Sequence, residues 1–201
     1  LLGISSPLPD LLNKSATSRL PLRVERSAPA AGTEQYRITL GNVARGLVLR
    51  RDGKWSQGVF AVGDADATLP DKGLVVRVAM PRIDADAWRN YLPGEAQGAP
   101  GVAAESDGLA LTLVQLKTPV LHLFGRDYSE VEVVLAPQAA DWRIALKTRE
   151  ADGELLWRGA DDGWIEGRFR RLHLTQAAAA GQASGSVIDS LPGMSLVVDD
   201  L

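Results

Sequence analysis

Residues 131–146, VEVVLAPQAADWRIAL, consist of two short runs in which apolar and polar side chains alternate. The apolar side chains that would share one face of these two runs are Val131, Val133, Leu135, Trp142, Ile144 and Leu146. Alternation with a period of two predicts β-strands, because successive side chains of a strand point to opposite faces. This stretch therefore predicts a pair of strands with one apolar face.

The same alternation recurs along most of the chain, and roughly ten to twelve strands are predicted from periodicity alone. Residues 84–92, DADAWRNYL, form the best helix candidate, with Asp84 as its N-cap and Pro93 after its end. A nine-residue helix is only about 14 Å long and cannot cover the apolar face of such a sheet. That face must pack against another sheet, curl onto itself or contact an apolar ligand, and the pattern leaves these alternatives open.

Turn signals divide the chain into four parts. The predicted parts are an N-terminal arm at 1–21, a first block of strands at 22–92 that ends in the short helix, a loop at 93–108 and a second block of strands at 109–201. Short turns at PQAA (137–140), ADG (151–153) and ADDG (160–163) predict that consecutive strands form an antiparallel meander. The chain starts without Met, and we expect it to be a piece of a longer protein.

Composition excludes several classes of function. The 201 residues carry a net charge of −3 with Lys and Arg dispersed, so we expect no nucleic-acid partner. The chain has no cysteine, which excludes disulfides, thiolate metal ligands and cysteine catalysis. It also has no run of 18 apolar residues that would indicate a transmembrane helix.

Candidate catalytic and metal-binding residues are sparse. His122 and His173 each lie between two leucines, and no cysteine or carboxylate completes a metal set around them, so both are predicted to be surface residues. The stretch GQASGS lacks the spacing of a nucleophilic serine, and GDADATLPD lacks the glycine and the closing glutamate of a calcium loop. We therefore predict no catalytic residue, no metal and no cofactor, and a protein that is not an enzyme.

Several longer phrases carry a family resemblance. They are FGRDYSEVEVVLAPQAADWRIALKTREADGELLWR (124–158), DSLPGMSLVVDDL (189–201), SPLPDLLNKSATSRLPLRVE (6–25) and LGNVARGLVLRRDGKWSQGVFAVG (40–63). In this order they resemble the YhdP branch of the AsmA-like family of Gram-negative envelope proteins. The resemblance implies a mostly β fold, an antiparallel meander forming a strongly curved, folded-over, groove-like sheet with one or two short helices.

The resemblance also implies a function. Such a protein is anchored in the inner membrane by a helix that would lie outside this chain, and most of it is periplasmic. It offers an apolar groove for phospholipid transport between the inner and outer membranes and so maintains the outer-membrane barrier. The expected partners are phospholipid and the rest of the same long chain, which would extend the sheet. A structural scaffold that binds a protein by strand addition is the alternative.

The side chains that we predict to line the groove come from the second block. They are Val131, Val133, Leu135, Trp142, Ile144, Leu146, Leu155, Trp157, Ile165 and Phe169. For each of them, ordinary packing in a closed core is the competing interpretation.

Overall fold

The computed structural model describes residues 15, 17, 19–89, 108–158, 164–173 and 193–199. In order, its elements are β1 (Leu22–Ala30), β2 (Thr33–Leu40), β3 (Ala44–Arg51), β4 (Lys54–Gly63), β5 (Gly73–Ala79), β6 (Ile83–Asp84), α1 (Ala85–Arg89), β7 (Leu111–Leu123), β8 (Arg126–Gln138), β9 (Asp141–Lys147), β10 (Ala151–Arg158), β11 (Trp164–Leu172) and β12 (Gly193–Val198). The predicted mostly β class is confirmed: all twelve strands belong to one open sheet that does not close into a barrel.

Neighbouring strands follow the order of the chain, and most pairs are antiparallel. The path runs β1-β2-β3-β4-β5-β7-β8-β9-β10-β11-β12, and β6 pairs with β7 beyond the end of β5. Four pairs are parallel, β4–β5, β5–β7, β6–β7 and β11–β12, so the sheet is mixed rather than a pure antiparallel meander. A parallel pair needs a crossover segment, and residues 64–72 provide it between β4 and β5.

Two-residue turns with positive φ close two of the antiparallel hairpins. Asp52 and Gly53 have φ values of 47° and 80°, and the hairpin predicted at this dipeptide is confirmed between β3 and β4. Phe124 and Gly125, with φ values of 52° and 70°, make the equivalent turn between β7 and β8. These turns place consecutive strands side by side.

The turn predicted at ADG, residues 151–153, is wrong, because these residues begin β10. The chain reverses earlier, at residues 148–150, where the buried Thr148 hydroxyl accepts the N–H groups of Glu150 at 3.0 Å and Ala151 at 2.8 Å. A threonine hydroxyl that bonds nearby backbone groups can stabilise a turn without glycine. The predicted turn at 160–163 lies outside the described residues.

The helix predicted from Asp84 begins where expected. The Asp84 Oδ1 atom accepts the N–H of Ala87 at 2.8 Å, as an N-cap does. Trp88 packs against a small core of Met80, Ile83, Leu121 and Val131. Residues 90–92 of the predicted helix and the predicted loop up to residue 107 lie outside the described part of the chain.

Candidate functional site

One face of the sheet carries two continuous rows of apolar residues. Row 1 consists of residues that pair across successive strands: Val24, Ile38, Gly46, Phe60, Val76, Val114, Leu135, Ile144, Leu155, Gly167 and Leu196. Row 2 consists in the same way of Leu22, Leu40, Ala44, Val62, Val78, Leu116, Val133, Leu146, Gly153, Phe169 and Val198. Eleven strands about 4.8 Å apart make each row about 48 Å long. We call this side of the sheet the apolar face.

All ten residues predicted from the sequence lie on the apolar face. Leu135, Ile144 and Leu155 belong to row 1, Val133, Leu146 and Phe169 to row 2, and Trp142, Trp157 and Ile165 to the row beyond row 1, while Val131 pairs with Thr118. Seven of the ten side chains are half-buried, so the face is not sealed as a uniform core. That they contact lipid stays a prediction.

Three of the ten are buried, namely Val131 at 0% exposure, Trp142 at 1% and Phe169 at 6%. Val131 belongs to the small core below α1, which also packs against Leu116, Val133 and Leu146 of the apolar face. This part of row 2 is therefore covered by protein. The buried indole Nε1 of Trp142 has no hydrogen-bond partner in the described part of the chain.

The sequence prediction missed the first half of the face. Row 1 also contains Val24, Ile38, Phe60, Val76 and Val114, from β1, β2, β4, β5 and β7. The alternation in QYRITLG, residues 35–41, carries the same signal as the second half. The apolar face thus extends from one edge of the sheet to the other rather than being confined to the second block.

The space above the two glycines of row 1 is occupied by large side chains from neighbouring strands. A Cβ atom at Gly46 would lie 2.6 Å from the Phe60 ring, and one at Gly167 would lie 2.5 Å from Leu155 and 2.6 Å from Leu196. Side chains on adjacent strands therefore lie over these two glycines, as aromatic residues do in other sheets. The row keeps a closed apolar surface although two of its positions lack side chains.

The opposite face, which we call the outer face, is charged. The residues that alternate with row 1 there include Arg45, Arg77, Glu154 and Arg168. Cross-strand ion pairs on this face join Lys117 to Glu132 at 2.7 Å, Arg143 to Glu154 at 2.6 Å, Arg158 to Glu166 at 3.0 Å and Arg168 to Asp199 at 3.2 Å. The hydrogen bond from Lys117 holds the pKa of Glu132 below its ordinary value. The exposed ion pairs of the outer face are suited to contact with water.

Two surface depressions lie on the outer face. One, of about 430 Å³, is lined by residues that include Arg143, Glu154 and Arg168, whose charges are paired. The other, of about 400 Å³, lies beside the crossover segment and is lined by residues that include Arg77 and Lys117. Both depressions are lined by a mixture of apolar side chains and charged or polar groups.

Charged groups tie α1 to the turn between β7 and β8. The Asp86 carboxylate accepts the N–H groups of Phe124 at 3.0 Å and Gly125 at 2.8 Å. His122 Nδ1 lies 2.6 Å from Asp127, and the hydrogen bond from His122 holds the pKa of that carboxyl below its ordinary value. The carboxylates of Asp86 and Asp127 thus lie beside His122, but no group of three potential metal ligands occurs among the described residues.

The fold and the apolar face define a class: a protein built on a long open β-sheet with one apolar side and one side that carries most of the charge. The chain belongs to the YhdP family, because the profile of that family, described as YhdP protein, matches residues 1–201. The resemblance found in the sequence is thereby confirmed. The family is one of Gram-negative, AsmA-like envelope proteins.

A second similarity concerns a different kind of protein. The chain is 26% identical over 202 residues to a protein of Mycolicibacterium smegmatis named "Lhr helicase/ probable uracil glycosylase". The match covers 92% of the chain but 12% of that protein's length. No solved structure matches the chain. Among the described residues, no helix has the length and apolarity that crossing a membrane requires.

Proposed function

We propose that the apolar face binds phospholipid acyl chains, as a periplasmic segment of a protein that moves phospholipid between the inner and outer membranes and maintains the outer-membrane barrier. The carrying observation is that rows 1 and 2 cross all eleven strands of the path without a charged residue. Exposure of acyl chains to water costs about 0.8 kcal/mol per CH₂ group, and a continuous apolar surface lowers that cost along a whole path.

The shape of the surface favours movement over storage. The two depressions described above lie on the outer face, and the apolar face offers many similar aliphatic side chains that make contacts of comparable strength. Such contacts give an acyl chain no single deep energy minimum. A lipid held in this way can move in small steps along row 1, none of whose residues packs against the small core below α1. Nothing in this mechanism requires a catalytic residue or a cofactor.

The two edge strands of the sheet support the expectation that further strands of the same protein extend it. All nine residues of β1 are exposed, including the row 1 and row 2 residues Val24 and Leu22, at 60% and 51%. Leu196 of β12, in row 1, is 44% exposed at the other edge. Further strands of a longer chain would pair with these edges and continue both rows.

The same edges are the observation that favours the second candidate function, an envelope scaffold. An exposed strand edge can also bind a strand of another protein through main-chain hydrogen bonds. In that case a proline in β1 would abolish binding of a protein partner and leave any lipid content unchanged. If the chain binds lipid, a substitution on the apolar face should lower the lipid content, and a proline at the edge should not.

Native mass spectrometry of the chain, purified from Gram-negative cells without detergent, tests the proposed function. We expect complexes with added masses that match phospholipids, because the half-exposed rows are stabilised by acyl chains. Phospholipid should also be found when the same sample is extracted with organic solvent. A lipid-free chain in both measurements would contradict the proposal.

A further inference from the structure

One corner of the apolar face carries charge. We call it the charged corner; it consists of Arg26, Glu34, Tyr36, Arg50 and Trp55, from strands β1 to β4. Arg26 pairs with Tyr36, and Glu34 pairs with Arg50, which pairs with Trp55, so the register places all five on the side of row 1 away from row 2. Residues two positions from row 1 along each strand lie on the same face as row 1. Among these residues, Arg26 carries a charge and the others do not.

The charged corner contains two cations for one anion. Glu34 accepts hydrogen bonds from Arg26, from the Tyr36 hydroxyl at 3.1 Å and from Arg50 at 3.5 Å. The hydrogen bond from Arg26 holds the pKa of Glu34 below its ordinary value, so the carboxylate stays ionised. Two guanidinium groups therefore share one carboxylate, which leaves a formal excess of one positive charge.

Both guanidinium groups remain accessible. The side chains of Arg26 and Arg50 are 63% and 40% exposed, while that of Glu34 is 25% exposed. The Arg50 guanidinium lies 5.7 Å from the centre of the Trp55 ring and donates through Nε to the Gly53 carbonyl at 2.9 Å. These contacts hold Arg50 in place and leave other N–H groups of both arginines for an incoming anion.

This composition matches the polar end of a phospholipid. Guanidinium groups bind phosphate in a bidentate manner, and Trp and Tyr favour the boundary between apolar and aqueous regions. The strand from Tyr36 to Leu40 spans about 13 Å, close to the roughly 15 Å that one leaflet contributes to a bilayer's hydrocarbon core. A phosphate at the corner would therefore leave the acyl chains lying over rows 1 and 2.

We propose that the charged corner binds the phosphate of a phospholipid whose acyl chains lie along β2, β3 and β4 on the apolar face. The inference rests on the proposed function and deepens it, because it assigns a headgroup site and an orientation to the lipid. The headgroup lies at the rim marked by the exposed Trp55, and the acyl chains point towards row 2. Free phosphate shares the headgroup's chemistry and is a separate arm of the test.

The test titrates the chain with three soluble probes: a short-chain anionic phospholipid, the diacylglycerol with the same acyl chains, and inorganic phosphate. We expect the phospholipid to bind the unmodified chain most tightly. The double substitution Arg26→Gln and Arg50→Gln should weaken phospholipid binding roughly tenfold and leave diacylglycerol binding unchanged. The matched control, Arg143→Gln with Arg168→Gln, removes two paired arginines from the outer face and should change neither.

A second variant protects the test against a folding defect. Glu34→Gln removes the carboxylate that competes with phosphate, so it should tighten phospholipid binding, whereas damage to the fold would weaken it. The inference is overturned if Glu34→Gln weakens binding, if the double substitution weakens both lipids equally, or if inorganic phosphate binds as tightly as the phospholipid. Equal binding of both lipids by the unmodified chain overturns the headgroup site alone, and binding of neither overturns the proposed function itself.

Discussion

If the chain carries lipid as proposed, we expect transfer to fall roughly a hundredfold when Leu135 is replaced by glutamate. Leu135 lies in row 1 in the middle of the sheet, where it pairs with Val114 and Ile144. An ionised carboxylate there must lose water each time an acyl chain passes, at a cost of several kcal/mol. About 1.4 kcal/mol corresponds to a tenfold change in rate, so about 3 kcal/mol slows passage by two orders of magnitude.

Val134→Glu is the matched control for this substitution. Val134 is the preceding residue of β8, is half-buried like Leu135, and lies on the outer face between Gln115 and Ala145. Transfer of labelled phospholipid to the outer membrane is measured in Gram-negative cells that rely on the full protein carrying either variant. Transfer at the unmodified rate in the Leu135→Glu cells would contradict the continuous apolar path.

Gly63→Ala destabilises the fold by about 3 kcal/mol, the largest effect that we expect from adding one methyl group. Gly63 ends β4 with φ of 66°, and a Cβ atom there would lie 2.1 Å from the Ala79 carbonyl oxygen. The Ala79 carbonyl already accepts the N–H of Asp64 at 2.9 Å, so it cannot move without loss of that bond. The substitution thus disturbs the start of the crossover segment that makes β4 and β5 parallel.

Gly53→Ala separates backbone strain from this steric clash. Gly53 has φ of 80°, and nothing lies within 4 Å of a Cβ atom at that position. We expect a loss of about 1 kcal/mol there, from positive φ alone. Urea unfolding of both variants gives the two free energies of unfolding. Equal losses for the two glycines would show that the contact with Ala79 has no energetic weight.

The second half of the apolar face was predictable because its two sides differ in polarity. In β8 and β9, charged residues such as Glu132, Arg143 and Lys147 alternate with the apolar ones. Local alternation therefore identifies both the strands and the residues that share a face. For this reason, the ten side chains could be assigned to one face from the sequence alone.

In the first half, β4 and β5 carry no clear signal, because both strands are largely apolar on their two sides. Val59, Ala61 and Val75 on the outer face are buried, at 0%, 0% and 4% exposure. The crossover segment at 64–72 runs along that side, where Arg77 donates to the Thr68 carbonyl at 2.8 Å and Gln57 to the Pro70 carbonyl at 2.9 Å. No local signal tells which side of the sheet a crossover segment will occupy.

Pairing between strands that are distant in the sequence also cannot be predicted from the local alternation of residues. The parallel β5–β7 pair joins strands that are separated by more than thirty residues along the chain, including the helix. The charged corner depends equally on register, because Arg26, Glu34 and Arg50 come from three strands and are unremarkable in the sequence. Only the paired sheet shows that two arginines converge on one carboxylate at the rim of an apolar face.

Photo-crosslinking in cells tests the central claim, that the apolar face holds phospholipid, most directly. A photoreactive phenylalanine analogue is placed at Ile38 and Ile144 in row 1, and at the neighbouring outer-face positions Arg37 and Ala145. After growth on radiolabelled phosphate and illumination, we expect labelled protein from both row 1 positions and from neither outer position. The label should disappear on treatment with phospholipase C, which cleaves the bond between glycerol and phosphate and leaves the crosslinked diacylglycerol unlabelled. Equal labelling of both faces, or no label in row 1, would contradict the account.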